Sequence, residues 1–140
     1  MMGDINNLIM GLGIALQPYN IIIAIIGLVL GIIVGVLPGL GGANGVAILI
    51  PVVVTMPATS GVILLSSIYW GALYGGSITS IHFNIPGEPW SVATTFDGYP
   101  MAKSGKAGKA LVLAFLSHGF GAIVGVFLLT FLAPLIAEIA

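Results

Sequence analysis

The side chains best suited to bind an ion or a small anion lie in one segment, between positions 84 and 97. This segment combines a proline-glycine break with amide, hydroxyl and carboxyl groups: Asn84, Pro86, Gly87, Ser91, Thr94, Thr95 and Asp97. Amides and hydroxyls can hydrogen-bond a carboxylate, and hard cations such as sodium prefer carboxylate, hydroxyl and carbonyl oxygens. We expect Asp97 to bind sodium or carry a proton and the other six residues to bind substrate; an Asp-Gly turn in solvent is the alternative for Asp97.

A second proline-glycine break occurs earlier, at Pro38-Gly39, and is followed by Gly41, Gly42 and Asn44. Proline lacks an N–H and glycine is flexible, so both residues oppose helix continuation. At membrane depth, irregular backbone is tolerated only where it is buried in protein or lines a wet cavity. A helix beginning near Asn44 would point its free N–H groups and positive dipole end at that cavity, where anions are favoured. These five residues are therefore candidate substrate-binding residues, and a loop at the membrane surface is the alternative.

Other reactive side chains have structural interpretations. Glu88, beside two prolines, is typical of a surface loop, and His82 and His118 are expected to be hydrogen-bonded interior or interface residues. Ser77 and His118 would suit an intramembrane serine hydrolase, but their spacing shows neither a nucleophile-base contact nor an oxyanion hole. Two distant histidines without cysteine do not form a metal-ligand cluster. We therefore expect no enzyme, no metal site and no cofactor.

Composition places these motifs in a lipid bilayer. No Asp, Glu, Lys or Arg occurs from Ile5 to Gly87, and charged residues make up 5% of the chain against 59% hydrophobic residues. A soluble domain has about 25% charged residues, so lipid must cover most of this surface. A net charge of −1 without arginine excludes the basic footprint of a nucleic-acid-binding protein. The first apolar run lacks a preceding basic region, so we expect it to remain as an anchor.

The apolar segments predict an all-α integral membrane protein with about three full transmembrane helices, at residues 20–37, 59–80 and 111–133. Residues 45–56, interrupted by Pro51, are too short to cross and predict a re-entrant or half-helix piece. Residues 81–110 contain most of the polar side chains and all three lysines, which predicts an aqueous segment. The positive-inside tendency places residues 103–109 in the cytoplasm. If residues 39–57 enter and leave on one side, the N-terminus is cytoplasmic as well.

Each full-length segment also contains small residues spaced by four positions: Gly27, Gly31 and Gly35; Ser67, Gly71 and Gly75; Ser117, Gly121 and Gly125. Such ridges let helix backbones approach closely in lipid. We expect them to pack helices together, within this chain or against neighbouring subunits.

Three stretches together resemble one protein family. They read Gly-Ile-Ile-Val-Gly-Val-Leu-Pro-Gly-Leu-Gly at 31–41, Tyr-Trp-Gly-Ala-Leu-Tyr-Gly-Gly-Ser at 69–77, and Asn-Ile-Pro-Gly-Glu-Pro from position 84 onward to Tyr99. The third continues into Gly-Lys-Ala-Gly-Lys-Ala-Leu at 105–111. In order and spacing the chain resembles the large membrane subunit of tripartite tricarboxylate transporters, the TctA family. Because family members are several times longer, the resemblance implies that residues 1–140 form a single membrane domain, the amino-terminal part of a larger transporter bundle.

The resemblance also implies a function. Members of the family are secondary transporters, driven by an ion gradient in symport, that take up tricarboxylates or related small organic anions. It implies a multi-pass protein of the bacterial cell inner membrane that works with a small membrane subunit and a periplasmic solute-binding protein. The alternative is a truncated or accessory membrane protein with a packing role and no transport of its own.

Overall fold

The computed structural model describes residues 2–137, and every regular element within them is helical. In chain order the helices are α1 Met2–Ala15, α2 Pro18–Val36, α3 Gly41–Val53, α4 Ala58–Phe83, α5 Val92–Met101 and α6 Ala107–Ala137. A 3₁₀ turn, Pro89–Ser91, precedes α5, and a wide turn, Ala102–Lys106, joins α5 to α6. Three stretches are long and apolar enough to cross a membrane: α2, α4 and Pro89–Ala133, which contains α5 and most of α6. The predicted all-α membrane fold, with three spans and shorter broken pieces, is confirmed.

Local sequence explains where α2 ends and α3 begins. Leu37 is extended, with φ −85° and ψ 108°, as is usual before proline. Gly39 and Gly41 have φ angles of +87° and +68°, a left-handed conformation that glycine adopts without strain. The helix after the break therefore begins at Gly41, earlier than the predicted start near Asn44, and it continues past Pro51.

α2 and α4 pack side by side through their small residues and run parallel. Gly31 lies against Ile68 and Gly35 lies against Ala72, so residue numbers increase together along both helices. A Cβ added at Gly31 would lie 2.9 Å from the Cα of Ile68, and one added at Gly71 would lie 3.0 Å from the Cα of Gly31. These distances leave no room for a side chain, so backbone packs directly on backbone. The first two small-residue ridges thus pack helices together, as expected.

α3 folds back and forms a hairpin with α2. Its first turn contacts the middle of α4, where Gly42 lies near Ala72, and its last turn contacts the start of α4, where Val53 lies near Gly61. Apolar side chains of α3 cover a small core formed by Ile23, Leu64 and Ile68. The start of α2 and the end of α3 therefore both lie at the amino-terminal end of α4. The proline-glycine break forms the tip of the hairpin.

The segment 81–110, predicted to be aqueous, is packed against the bundle over much of its length. After α4 the chain turns back on itself, and Gly87 lies beside Gly76 in the preceding helix. α5 then runs parallel to the end of α4, with Gly98 against Ile81. Glu88 and Ser91 are buried against α4, whereas Asn84, Asp97 and the lysines are exposed. The prediction of an aqueous segment therefore fails at the two buried residues and stays a prediction for the exposed ones.

α6 returns antiparallel to α4, and the ring of Phe115 packs edge-on against Tyr74 at a centroid distance of 5.8 Å. All three lysines are exposed, in the turn Ala102–Lys106 and shortly after it. This turn lies at the carboxyl end of α4, whereas Pro18, the first residue of α2, lies near its amino end. The condition for a cytoplasmic N-terminus, that residues 39–57 enter and leave on one side, is therefore not met. With the lysine turn in the cytoplasm, the start of α2 lies on the opposite side of the membrane.

The two glycines of the third small-residue ridge have no partner among the described residues. A Cβ added at Gly121 or Gly125 would meet no atom within 4 Å. Neighbouring side chains on α6, including Phe120 and Ile123, are exposed. This face of α6 therefore presents apolar surface to lipid or to another chain segment.

Candidate functional site

The two proline-glycine breaks meet at the side chain of Glu88. Its carboxylate accepts a hydrogen bond from the backbone N–H of Gly42, in the first turn of α3. A Cβ built on Gly41 would lie 3.3 Å from one carboxylate oxygen, and a Cβ built on Gly42 would lie 3.2 Å from the other. Glu88 is 3% exposed. The amino terminus of α3 therefore faces an acidic side chain, which its free N–H groups and dipole favour, and that side chain belongs to the chain itself.

Gly87 makes this meeting possible. A Cβ at this position would lie 2.8 Å from the Cα of Gly76 and 3.0 Å from Thr79 Oγ1, and it would collide with the carbonyl oxygen of Gly35. The residue is wedged between α2 and α4, where only glycine fits. As a consequence Glu88 is pressed against α4, with its Cγ 3.0 Å from the position of a Cβ on Gly76.

Ser91 holds the backbone of Glu88 in place. Its hydroxyl accepts a hydrogen bond from the Glu88 N–H at 3.1 Å and donates one to the Glu88 carbonyl at 2.7 Å. The Ser91 N–H donates to the same carbonyl at 3.0 Å. Because the side chain is 4% exposed and bonded within the chain, Ser91 positions the carboxylate in this conformation.

The meeting point lies well inside the length of α4. This helix has 26 residues, which corresponds to about 39 Å, against about 30 Å for the hydrocarbon core of a bilayer. Gly76, beside the carboxylate, lies about 10 Å before the end of the helix, and Ala72, beside α3, lies about 21 Å from its start. Both breaks are therefore at membrane depth when α4 crosses the bilayer, an arrangement of paired interruptions that transporters use for midplane sites.

The residues predicted at the first break divide into two groups. Gly41 and Gly42 lie against the carboxylate at the start of α3. Pro38, Gly39 and Asn44 are exposed. Of the five predicted residues, only the two glycines form part of the buried junction in this conformation.

Several residues predicted at the second break have structural roles here. Asn84 ends α4 in a left-handed conformation with φ 58°, and its N–H donates to the carbonyl of Ser80 at 3.2 Å. Asparagine is one of the few residues that adopt this conformation readily, so the sequence explains the end of the helix. The hydroxyl of Thr95 donates to the carbonyl of Val92 at 2.7 Å, and Pro86 is half-buried.

A separate cleft of about 330 Å³ lies between α4, α5 and α6 and is lined by Thr94 and Asp97. Ser117 and His118 of α6 line it as well, so it combines carboxylate and hydroxyl oxygens with an imidazole ring. Oxygen groups of this kind suit a hard monovalent cation. The fold thus brings Thr94 and Asp97 to one cleft, whereas Asn84 is not among the residues that line it.

The histidines and Ser77 are each bonded within their own helix. His118 Nδ1 lies 2.6 Å, His82 Nδ1 3.0 Å and Ser77 Oγ 3.3 Å from the carbonyl oxygen four residues earlier. Because a carbonyl only accepts, Nδ1 is the protonated nitrogen in both rings. The hydrogen bonds of residues 2–137 therefore include no nucleophile-base pair, and the described residues contain no group of three potential metal ligands.

Glu88 is the residue of this junction whose burial its local sequence does not predict. Its two proline neighbours suggested a surface loop, but the loop turns back into the bundle and buries the carboxylate. One sequence signal pointed to it: the acid directly follows the proline-glycine pair of one break, while the other break predicts free N–H groups that need an acceptor.

Comparison with known proteins identifies the family of the chain. The family model described as Tripartite tricarboxylate transporter TctA family matches residues 21–140, which contain both breaks and the cleft. The chain is 46% identical over 140 residues to a protein of Agrobacterium vitis described as "Uncharacterized 52.8 kDa protein in TAR-I ttuC' 3'region", and it spans 28% of that relative's length. No solved structure shows significant similarity to the chain. The chain therefore belongs to the TctA family of tripartite tricarboxylate transporters.

Proposed function

We propose that this chain forms part of the membrane subunit of a secondary transporter that takes up tricarboxylates or related small organic anions. The observation that carries the proposal is the buried junction where the amino terminus of α3 holds the carboxylate of Glu88. A site that already binds a carboxylate through backbone N–H groups has the chemistry that a carboxylate substrate requires. Because the chain contains no arginine, this binding lacks a bidentate ion pair, which favours release after translocation.

In this proposal the first break supplies the donors for the substrate. The amides of Gly41 and Gly42 bind one carboxylate of the anion, and Pro38 and Gly39 keep α2 from continuing through the site. Asn44, exposed on the following turn of α3, adds an amide donor. The positive φ angles of Gly39 and Gly41 support this role, since they turn the start of α3 toward the junction.

The second break shapes the opposite wall. Asn84, Pro86 and Gly87 return the chain from the end of α4 to the junction, and the hydroxyls of Ser91 and Thr95 are further hydrogen-bonding groups for the substrate. In the described conformation both hydroxyls are bonded to backbone carbonyls. Their use by a substrate therefore requires a small rearrangement of this segment.

The coupling cation, sodium or a proton, is proposed to bind in the cleft between α5 and α6. Asp97 supplies the charge, and Thr94 and Ser117 supply neutral oxygens. Asp97 is exposed, so its carboxylate is accessible to a cation that enters the cleft, which supports this assignment.

The family is the basis of what we propose for the wider assembly. We propose that the chain is the amino-terminal part of a larger multi-pass bundle in the bacterial inner membrane, joined by a small membrane subunit and supplied by a periplasmic solute-binding protein. The three candidate spans and the family described as tripartite support this arrangement.

An accessory role is the second candidate, and a specific observation favours it. The two glycines of the small-residue ridge of α6, Gly121 and Gly125, have no partner among the described residues. In that case the chain packs against other membrane segments and transports nothing itself.

Uptake by membrane vesicles distinguishes the two candidates. Vesicles from cells carrying the gene at its own chromosomal position would be given radiolabelled citrate, tartrate or malate, under an imposed sodium or proton gradient. Addition of the periplasmic fraction supplies the binding protein, and vesicles from a deletion strain are the control. Gradient-dependent uptake that needs both the gene and the periplasmic fraction supports transport. Uptake unchanged by deletion, for every carboxylate tested, refutes it and leaves the packing role.

A further inference from the structure

Glu88 is a buried carboxyl group that accepts a hydrogen bond from the N–H of Gly42 and has no basic partner among the described residues. All three lysines are exposed, the chain has no arginine, and both histidine rings bond carbonyls of their own helices. A carboxylate has room for about four hydrogen bonds, and the donors that Glu88 meets are backbone N–H groups, not charged side chains. A buried charge without an ionic partner is costly unless a proton or a cation neutralises it.

The elements around Glu88 bring almost no other titratable group to it. α3 contributes Gly41 and Gly42, and α4 contributes Gly76, so glycine backbone surrounds the carboxylate. The ring of Tyr69 lies against Gly42, 3.2 Å from the position of a Cβ there, and is the titratable side chain among these contacts. The protonation or cation occupancy of this site therefore depends mainly on Glu88 itself.

We propose that Glu88 is an exchangeable occupant of the substrate's carboxylate site. When it is ionised, Glu88 holds the N–H of Gly42; when it takes up a proton or a sodium ion, it releases that amide to a carboxylate of the substrate. This inference rests on the proposed function and adds to it the step that links cation binding to anion binding.

The physical basis is competition between two carboxylates for one helix terminus. An ionised carboxylate interacts with N–H groups and with the helix dipole more strongly than a neutral carboxyl group does. Neutralising Glu88 therefore weakens the internal contact and makes the terminus available. Thermodynamic linkage then requires the reverse effect, so that substrate binding increases the affinity of Glu88 for the cation.

Replacing the acid by its amide isolates this step. Glu88→Gln keeps the length of the side chain and an oxygen that can accept from Gly42, but it removes the charge. In vesicles whose wild-type chain transports a carboxylate, this variant should lower the apparent KM at low cation concentration by roughly five- to tenfold, within the usual range of coupling factors. The dependence of the KM on sodium or pH should also weaken, although the cation site proposed at Asp97 is still present.

A measurement on the wild-type chain tests the same step without a variant. Carbodiimides add to protonated carboxyl groups in apolar surroundings, and mass spectrometry locates the adduct. With a proton as the cation, a transported carboxylate should increase modification of Glu88; with sodium, added sodium should decrease it, and decrease it further when the substrate is present.

Two results overturn the inference while leaving transport intact. One is a Glu88→Gln variant whose KM and cation dependence equal those of the wild type, and the other is modification of Glu88 that neither substrate nor sodium changes. Either result makes Glu88 a fixed cap of α3. If wild-type vesicles take up no carboxylate at all, the proposed function fails and this inference fails with it.

Discussion

Replacing Gly31 by alanine is expected to destabilise the pairing of α2 and α4, whereas the same replacement at Gly121 is not. A Cβ added at Gly31 would lie 2.8 Å from the carbonyl carbon of Ile68 and 2.9 Å from its Cα. Carbon atoms in contact are normally about 3.5–4.0 Å apart, so the helices would have to separate by about 1 Å. At Gly121 the added Cβ meets nothing within 4 Å.

Two contributions of opposite sign set the magnitude. Alanine favours a helix over glycine by about 1 kcal/mol at either position. Overpacking a tight contact costs about 1–3 kcal/mol, and at Gly31 the neighbouring atoms are backbone atoms that cannot rotate away. The gain in helix propensity is common to both variants, so it cancels when they are compared. Gly31→Ala should therefore be less stable than Gly121→Ala by about 1–3 kcal/mol.

The assay is unfolding of the purified variants in detergent, by titration with sodium dodecyl sulfate, with helix content and protease resistance as readouts. The unfolding midpoint of Gly31→Ala should fall below that of the wild type, while Gly121→Ala should match or exceed it. Equal midpoints for the two variants would mean that the backbones of α2 and α4 do not approach as closely as described, and the parallel arrangement would lose its main support.

Three further predictions concern transport and topology. Pro38→Ala combined with Gly39→Ala should abolish uptake while the chain still inserts, because alanine supplies the N–H and helix propensity that the break lacks; normal uptake in the same vesicles would show that the break is dispensable. Asp97→Asn should weaken the sodium or proton dependence of uptake more than it lowers the amount of protein, and an unchanged ion dependence would leave Asp97 as an Asp-Gly turn, where asparagine is equally suitable. Ser104→Cys, in a chain without native cysteine, should react with an impermeant maleimide only from the cytoplasmic side, and labelling from the periplasm alone would reverse the orientation.

Much of the helical architecture could be predicted from local sequence. α2 and α4 lie within a few residues of the predicted spans because long uncharged runs favour helices in lipid, whatever they pack against. The break at Pro38-Gly39 was predictable for the same reason, since a missing N–H and a left-handed glycine act on the chain locally. The packing role of the ridge at Gly31 also followed from spacing alone.

What the sequence could not decide is which groups meet. Glu88 has the local context of a surface loop, and only the return of the chain beside Gly76 buries it against the first turn of α3. Likewise, spacing did not distinguish the ridge at Gly31, which is packed, from the ridge at Gly121, which has no partner among the described residues. The physical reason is that helix formation and chain breaks depend on neighbouring residues. The burial of a carboxylate and its contact with a helix terminus depend on residues far apart in the chain, which only the tertiary fold brings together.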